Sequence, residues 1–219
     1  VISLSNVFTD IEGTTLTYSV ASSNTNHVIA SVSGTDLTVS FVANASSTVV
    51  YPTWNQLGGD IDGEAVDDYS GWSVSSSSDG TIVAIGAIYN DANGSDSGHV
   101  RIYQYADNAW TQLGADIDGE NAGDQSGHSV SLSSDGTIVA IGANKNDGNG
   151  TSSGHVRIYQ RDASNTTTSP IGWTQLGDDI DGEATSDESG YSTSISSDGT
   201  IVAVGASKND GNGIDSGHV

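Results

Sequence analysis

Between Ser126 and Gln160 the chain runs through one cycle of hydrophobic and polar positions. "SGHSVSLS" alternates small or apolar residues with serine, the period of two expected of a strand with one wet face. "SDG" follows as a tight turn, since Asp-Gly supplies the positive φ angles of a two-residue hairpin. "TIVAIGA" is then a nearly continuous apolar run, as in a strand covered on both faces. A Gly/Asn/Asp loop, "NKNDGNGTSSG", leads into "HVRIYQ", where Val156 and Ile158 alternate with His155, Arg157 and Tyr159. A stretch of the type "WTQLGADI" (110–117) predicts a fourth strand. No segment shows the 3.6-residue period of an amphipathic helix, so the pattern predicts an all-β chain.

The cycle recurs. Trp54, Trp110 and Trp173 each open "W-x-Q-L-G", Asp79, Asp135 and Asp198 each open "D-G-T-I-V-A", and His99, His155 and His218 each stand in "S-G-H-V". All three series step by 56 and then by 63 residues. The extra residues fall in one polar stretch, "RDASNTTTSPIG" (161–172), which reads as a lengthened surface loop. Four antiparallel strands in a repeat of this length describe a β-propeller blade, and blades bury their faces by stacking around an axis. The expected organisation is an outer strand near 54–61, a blade at 69–117, a blade at 126–180 and an incomplete blade at 189–219, all within a propeller region of 53–219. The ring is expected to be incomplete, and the chain, which does not begin with Met, to be a piece of a longer polypeptide.

Composition narrows the partners. Twenty-eight acidic residues against 5 basic ones give a formal charge of -23, a field that repels nucleic acid and anionic membrane surfaces. No apolar run reaches membrane-spanning length. Cysteine is absent, which excludes disulfides and thiolate metal sites. Nor does any nucleophile–base pair or phosphate loop stand out, and the chain is expected not to be an enzyme.

The acids are placed rather than spread. "DIDGEAVDD", "DIDGENAGD" and "DIDGEATSD" put Asp60, Asp62, Glu64 and Asp68, then Asp116, Asp118, Glu120 and Asp124, then Asp179, Asp181, Glu183 and Asp187 at equal spacings. Calcium takes 6–8 oxygen ligands in flexible geometry, and carboxylates at alternate positions of a curled loop can supply them. The same spacing also suits a solvated connector between blades, and both readings stand. A second candidate set lies in the Gly/Asn/Asp loops: Asp91, Asn93 and Asp96, then Asp147 and Asn149, then Asp210, Asn212 and Asp215. Asx turns account for that composition equally well. The repeating His and Trp residues are expected to serve packing and hydrogen bonding within the blades.

"SGHSVSLSSDGTIVAIGANKNDGNGTSSGHVRIY" resembles an FG-GAP repeat, the blade unit of integrin-α-type propellers. The resemblance covers about residues 54–219, with Gly127 at the Phe-Gly position and Ile141–Ala143 at the Gly-Ala-Pro position. Pro is missing from each "GA", and where that family has a calcium loop of alternating aspartates this chain has only "SSDG". Residues 4–49, "FTDIEGTTLTYSV" above all, resemble a cadherin-like, dystroglycan-type module of microbial surface proteins. That likeness implies a partial immunoglobulin-like sandwich over 1–52, with Asp10 and Glu12 where such modules often bind calcium. Together the resemblances imply a secreted or cell-surface binding protein with calcium as its cation and a protein, a glycan or other copies of itself as partner. A filament or sheath subunit and a propeller-based polysaccharide-degrading enzyme are the alternatives.

Overall fold

The computed structural model describes Ile2–Ser3, Val28–Ser33, Asp36–Phe41 and residues 54–219. The chain divides into two units, Val1–Trp54 and Asn55–Val219. In the first, β1 (Ile2–Ser3), β2 (Val28–Ser33) and β3 (Asp36–Phe41) form an antiparallel sheet in the order β1-β3-β2. The immunoglobulin-like expectation, with Asp10 and Glu12, otherwise falls outside the described residues.

The second unit is built of antiparallel sheets that repeat the sequence cycle. β4 (Ser70–Ser76), β5 (Ile82–Ala87), β6 (His99–Ala106) and β7 (Ala109–Gln112) pair in order, and β8 (Ile117–Asp118) joins the outer edge of β6. The next sheet repeats this with β9 (Ser129–Leu132), β10 (Ile138–Ala143), β11 (His155–Arg161), β12 (Trp173–Gln175) and β13 (Ile180–Asp181). β14 (Ser189–Ile195) and β15 (Val202–Ala206) begin a third. The described residues contain no helix.

The fourth strand, expected to be continuous over 110–117, is broken. β7 pairs with Tyr103–Ala106 and β8 with His99 and Val100. Between them Gly114 takes a φ of 76°, which a side chain disfavours. The break serves the next sheet: Trp173 donates its indole N–H to the Leu113 carbonyl (2.8 Å), and the Ala115 amide donates to the Ile171 carbonyl (2.8 Å). Trp173 is buried by this junction, and Trp110 makes the same bond to the Leu57 carbonyl.

A four-stranded sheet has two faces to cover and no second layer of its own, so the sheets cover one another. β9 packs on β4 and β5, and β14 packs on β9, β10 and β11. Accordingly β10, with a sheet on each side, is buried along nearly its whole length, whereas β15 is only partly covered. Val139, Ile141, Val130, Leu132, Val100, Ile102 and Trp173 belong to one continuous apolar core. This is the arrangement of propeller blades, with no closed ring among the described residues.

The approach between sheets is close enough to require glycine. A Cβ at Gly142 would lie 2.1 Å from the Gly190 carbonyl oxygen, and one at Gly86 would lie 2.2 Å from that of Gly127. Ser73 and Ser129 donate to those same carbonyls at 2.7 and 2.8 Å. Serines at strand positions thus act across the junction, not only toward water.

Each "SSDG" turn is locked by its aspartate. Asp198 accepts the Ser196 hydroxyl, the Thr200 amide and the Thr200 hydroxyl, and Asp79 and Asp135 repeat the arrangement. These bonds favour the carboxylate. The Ser196 bond, followed by those from Thr200, lowers the pKa of Asp198 to about 2.

Two measurements check the scaffold. Gly142→Ala should destabilise the chain by about 1–3 kcal/mol in urea unfolding, because the neighbouring atom is backbone and cannot swing away. Gly59→Ala, with nothing within 4 Å of the added carbon, should change it by no more than about 0.5 kcal/mol. Side-chain NMR titration of Asp198 should give a midpoint near 2 instead of the ordinary 3.8. A carboxyl depressed in this way stabilises the fold above its unfolded value, and that contribution fades as pH falls through the folded one.

Candidate functional site

The connector from one sheet to the next carries the repeated acidic phrase, and its four acids have separate tasks. The last is structural. Asp124 is buried, accepting the Asn121 amide at 3.0 Å and the Asn146 side-chain amide at 2.9 Å. Asp68 and Asp187 do the same with Ala65 and Asn90, and with Ala184 and Asn209. The second acids, Asp62 and Asp118, offer their backbone carbonyls to the guanidinium groups of Arg101 (2.7 Å) and Arg157 (2.8 Å). Burial, then the nearby Asp116, raises the pKa of the Asp118 carboxyl above the usual carboxylate range. Asp181 stands opposite His155 in the β11–β13 pairing.

The remaining acids meet a histidine. Glu64, His99 and Asp116 converge, as do Glu120, His155 and Asp179, with one ligand atom from each lying within 4.8 Å of the others. His99 Nδ1 stands 3.8 Å from both Glu64 Oε2 and Asp116 Oδ2, and His155 Nδ1 stands 3.9 Å from Glu120 Oε2 and 3.6 Å from Asp179 Oδ2. Both rings are 1% exposed, and neither Nδ1 has a hydrogen-bond partner. Burial holds both imidazoles below their ordinary pKa, against the pull of the flanking carboxylates. Glu183 and His218 lie 3.7 Å apart in the same relation.

The carboxylates are held from behind. Glu64 places Oε1 3.6 Å from Arg101 and turns Oε2 to His99, as Glu120 does between Arg157 and His155. Gln112 donates to Asp116 Oδ1 at 2.6 Å and leaves Oδ2 facing His99, and Gln175 repeats this on Asp179. Arg101 and Arg157 rest 5.6 Å over the rings of Tyr103 and Tyr159. Asp60 has the corresponding bond from Gln56.

The sequence reading grouped the acids by loop. Among the described residues, the convergent groups draw Glu and Asp from successive phrases and add a histidine. The His, expected to be hydrogen-bonded within its blade, has no such partner at Nδ1. Its signal was available: Glu64, His99 and Asp116 recur in step as Glu120, His155 and Asp179.

The Gly/Asn/Asp loops brace the connectors. Asn93 donates to the Gly119 and Glu120 carbonyls at 2.8 and 2.9 Å, and Asn149 to those of Gly182 and Glu183. Asp91, Asp147 and Asp210 accept the amides of Asp96, Ser152 and Asp215 within their own turns. The Asn212 amide donates to Ser216 Oγ at 3.2 Å.

Trp72, His128 and Tyr191 form a further recurring group, each displaced outward by a bulge or glycine turn at the start of its sheet. Their rings lie in a row, tilted against one another, with centroids 5.8 Å apart between Trp72 and His128 and 4.7 Å between His128 and Tyr191. Trp72 and Tyr191 are about half exposed.

Residues 61–103 and 116–159 match the family model of the FG-GAP repeat. The two matches fall on successive packed sheets, each of which is thus similar to that repeat. No curated protein matches the chain. The hairpin where that resemblance would place a calcium loop does not fit the ion, because calcium takes 6–8 oxygens and the turn offers one aspartate, whose Oδ1 already accepts three bonds within the turn. Among the described residues no helix is long and apolar enough to cross a membrane.

Asp124→Ala separates the structural acid from the convergent ones. It leaves the buried Asn146 amide unpartnered and should destabilise the chain by about 1–3 kcal/mol in chemical unfolding. Glu120→Gln, at an exposed side chain with one oxygen on Arg157, should cost less than half as much.

Proposed function

We propose that the chain is an extracellular, non-catalytic binding domain of a larger surface protein. Its stacked FG-GAP blades form a rigid frame that presents a docking face to a protein or glycan. The supporting observation is the match of that repeat to two successive sheets that pack face to face. The row of Trp72, His128 and Tyr191 is the contact surface in this reading. Adjoining rings, Trp72 and Tyr191 about half exposed, present large, rigid, partly apolar area at little entropic cost. The cadherin-like character of residues 4–49 belongs to the same proposal, as an adhesive module ahead of the frame.

Calcium enters as a stiffener of the acidic connectors. An ion that binds only the folded chain raises its melting midpoint by mass action. Adding calcium to metal-stripped protein should therefore raise the midpoint, and an unchanged midpoint removes calcium while leaving the binding role.

The binding role is tested on arrays of extracellular matrix proteins and of glycans, probed with the purified chain. Saturable retention is expected, reduced at least tenfold by the Trp72→Ala, Tyr191→Ala double variant with folding intact by circular dichroism. Product release from a polysaccharide substrate would instead identify an enzyme. Ordered filaments of the chain alone would identify a structural subunit.

A further inference from the structure

From the convergence at the blade junctions we infer that Glu64, His99 and Asp116, and Glu120, His155 and Asp179, are two built sites for a divalent transition cation of the zinc class. This goes beyond the scaffold role and does not depend on calcium. Three observations carry it.

The first is the unpartnered histidine. A buried polar atom without a partner is rare and calls for an explanation. Here both copies of the same atom, Nδ1 of His99 and of His155, are buried, lack a hydrogen bond and face two carboxylate oxygens. Separations of 3.6–3.9 Å are too long for hydrogen bonds. Ligand atoms about 2.1 Å from a tetrahedral metal stand roughly 3.4 Å apart, so the two edges from each histidine need close by only a few tenths of an ångström, and all three atoms already lie within 4.8 Å of one another.

The second is the outer layer. Metal-binding carboxylates are usually held by a further hydrogen bond that aims the free oxygen. Gln112 donates to one oxygen of Asp116, and Arg101 stands 3.6 Å from one oxygen of Glu64 as an ion pair; each leaves the other oxygen toward His99. Arg157 and Gln175 repeat the arrangement around His155. A solvated connector has no need of such aiming.

The third is the donor set. Calcium and magnesium prefer oxygen ligands throughout, whereas an imidazole with two carboxylates suits zinc and its first-row neighbours. Three protein ligands leave a fourth position for water or a partner's side chain.

The test is calorimetric titration of Zn²⁺ into the metal-stripped chain in a large excess of calcium, with ¹⁵N NMR of the histidine rings. Two equivalents should bind, one for each full triad, with Nδ1 of His99 and His155 shifted on coordination. Glu120→Gln or Asp179→Asn should leave one equivalent and abolish the His155 shift alone. Glu64→Gln should abolish the His99 shift alone, and Asp107→Asn, in the exposed β6–β7 turn, should change neither. Absence of binding, binding that survives the Glu64→Gln, Glu120→Gln double variant, or displacement by calcium would overturn the inference. All these variants alter exposed or half-exposed side chains, and retained melting behaviour separates lost ligation from lost fold. A failed array experiment would leave this result standing, and the reverse also holds.

Discussion

The face-to-face approach of successive sheets is the constraint on which the rest of the second unit depends. Neither sheet can bury its own apolar side chains, and the core from Ile82 to Trp173 exists only because one sheet lies on the next. That contact is held at glycine distance by Gly86 against Gly127 and by Gly142 against Gly190. At such separation the polar backbone at the junction must be satisfied across it, and Ser73 and Ser129 do so. The high serine content is therefore partly an interior requirement and not merely surface polarity.

The same closeness explains why the acidic phrase repeats as a unit. A connector leaves one blade and enters the next, so its first and third acids face different blades. Asp116 turns back to His99, while Glu120, four residues later, turns forward to His155. The second and third "DIDGE" are thus each shared by two junctions, and in the second the buried Ile117 anchors the phrase between its acids. Independent loops would be free to drift in sequence or spacing. A shared one is not, because a one-residue slip would move both carboxylates off their histidines.

Most of the fold was legible because it is written in periods. The alternation of "SGHSVSLS" and the double-sided apolar run of "IVAIGA" each correspond to a local rule, and three copies in step identified a stacking unit. The Asp-Gly turn is longer than the two-residue hairpin expected, since residues 133–137 separate β9 from β10 and Gly136 alone among them has a positive φ. The break in the fourth strand was not legible, since Gly114 and Leu113 are set by a tryptophan 59 and 60 residues away, not by neighbours. The acidic positions were visible as a set, but spacing within one loop could not reveal that their partners lie in adjacent phrases. Asp68, Asp124 and Asp187 look identical in sequence to the others. Only their burial, with an asparagine amide 22 residues on, shows them to be struts.

The distribution of positive charge carries the argument one step further. The chain has 5 basic side chains, and four of them stand at these junctions. Arg101 and Arg157 hold Glu64 and Glu120, while Lys145 and Lys208 both pair with the buried Glu188. A protein with so strong a negative field has few cations to offset it, and these lie where carboxylates from different segments are pressed together. Even so, each triad sets two carboxylates around a neutral, buried imidazole, with the guanidinium engaged on the far oxygen of only one. Charges this close lie inside the Debye length of about 8 Å and are only partly screened by salt, and a buried nitrogen with no partner is not helped by salt. What remains at each junction is an excess of lone pairs aimed at one point. In the inferred sites a divalent cation satisfies all of them at once, with three ligand atoms converging on one ion.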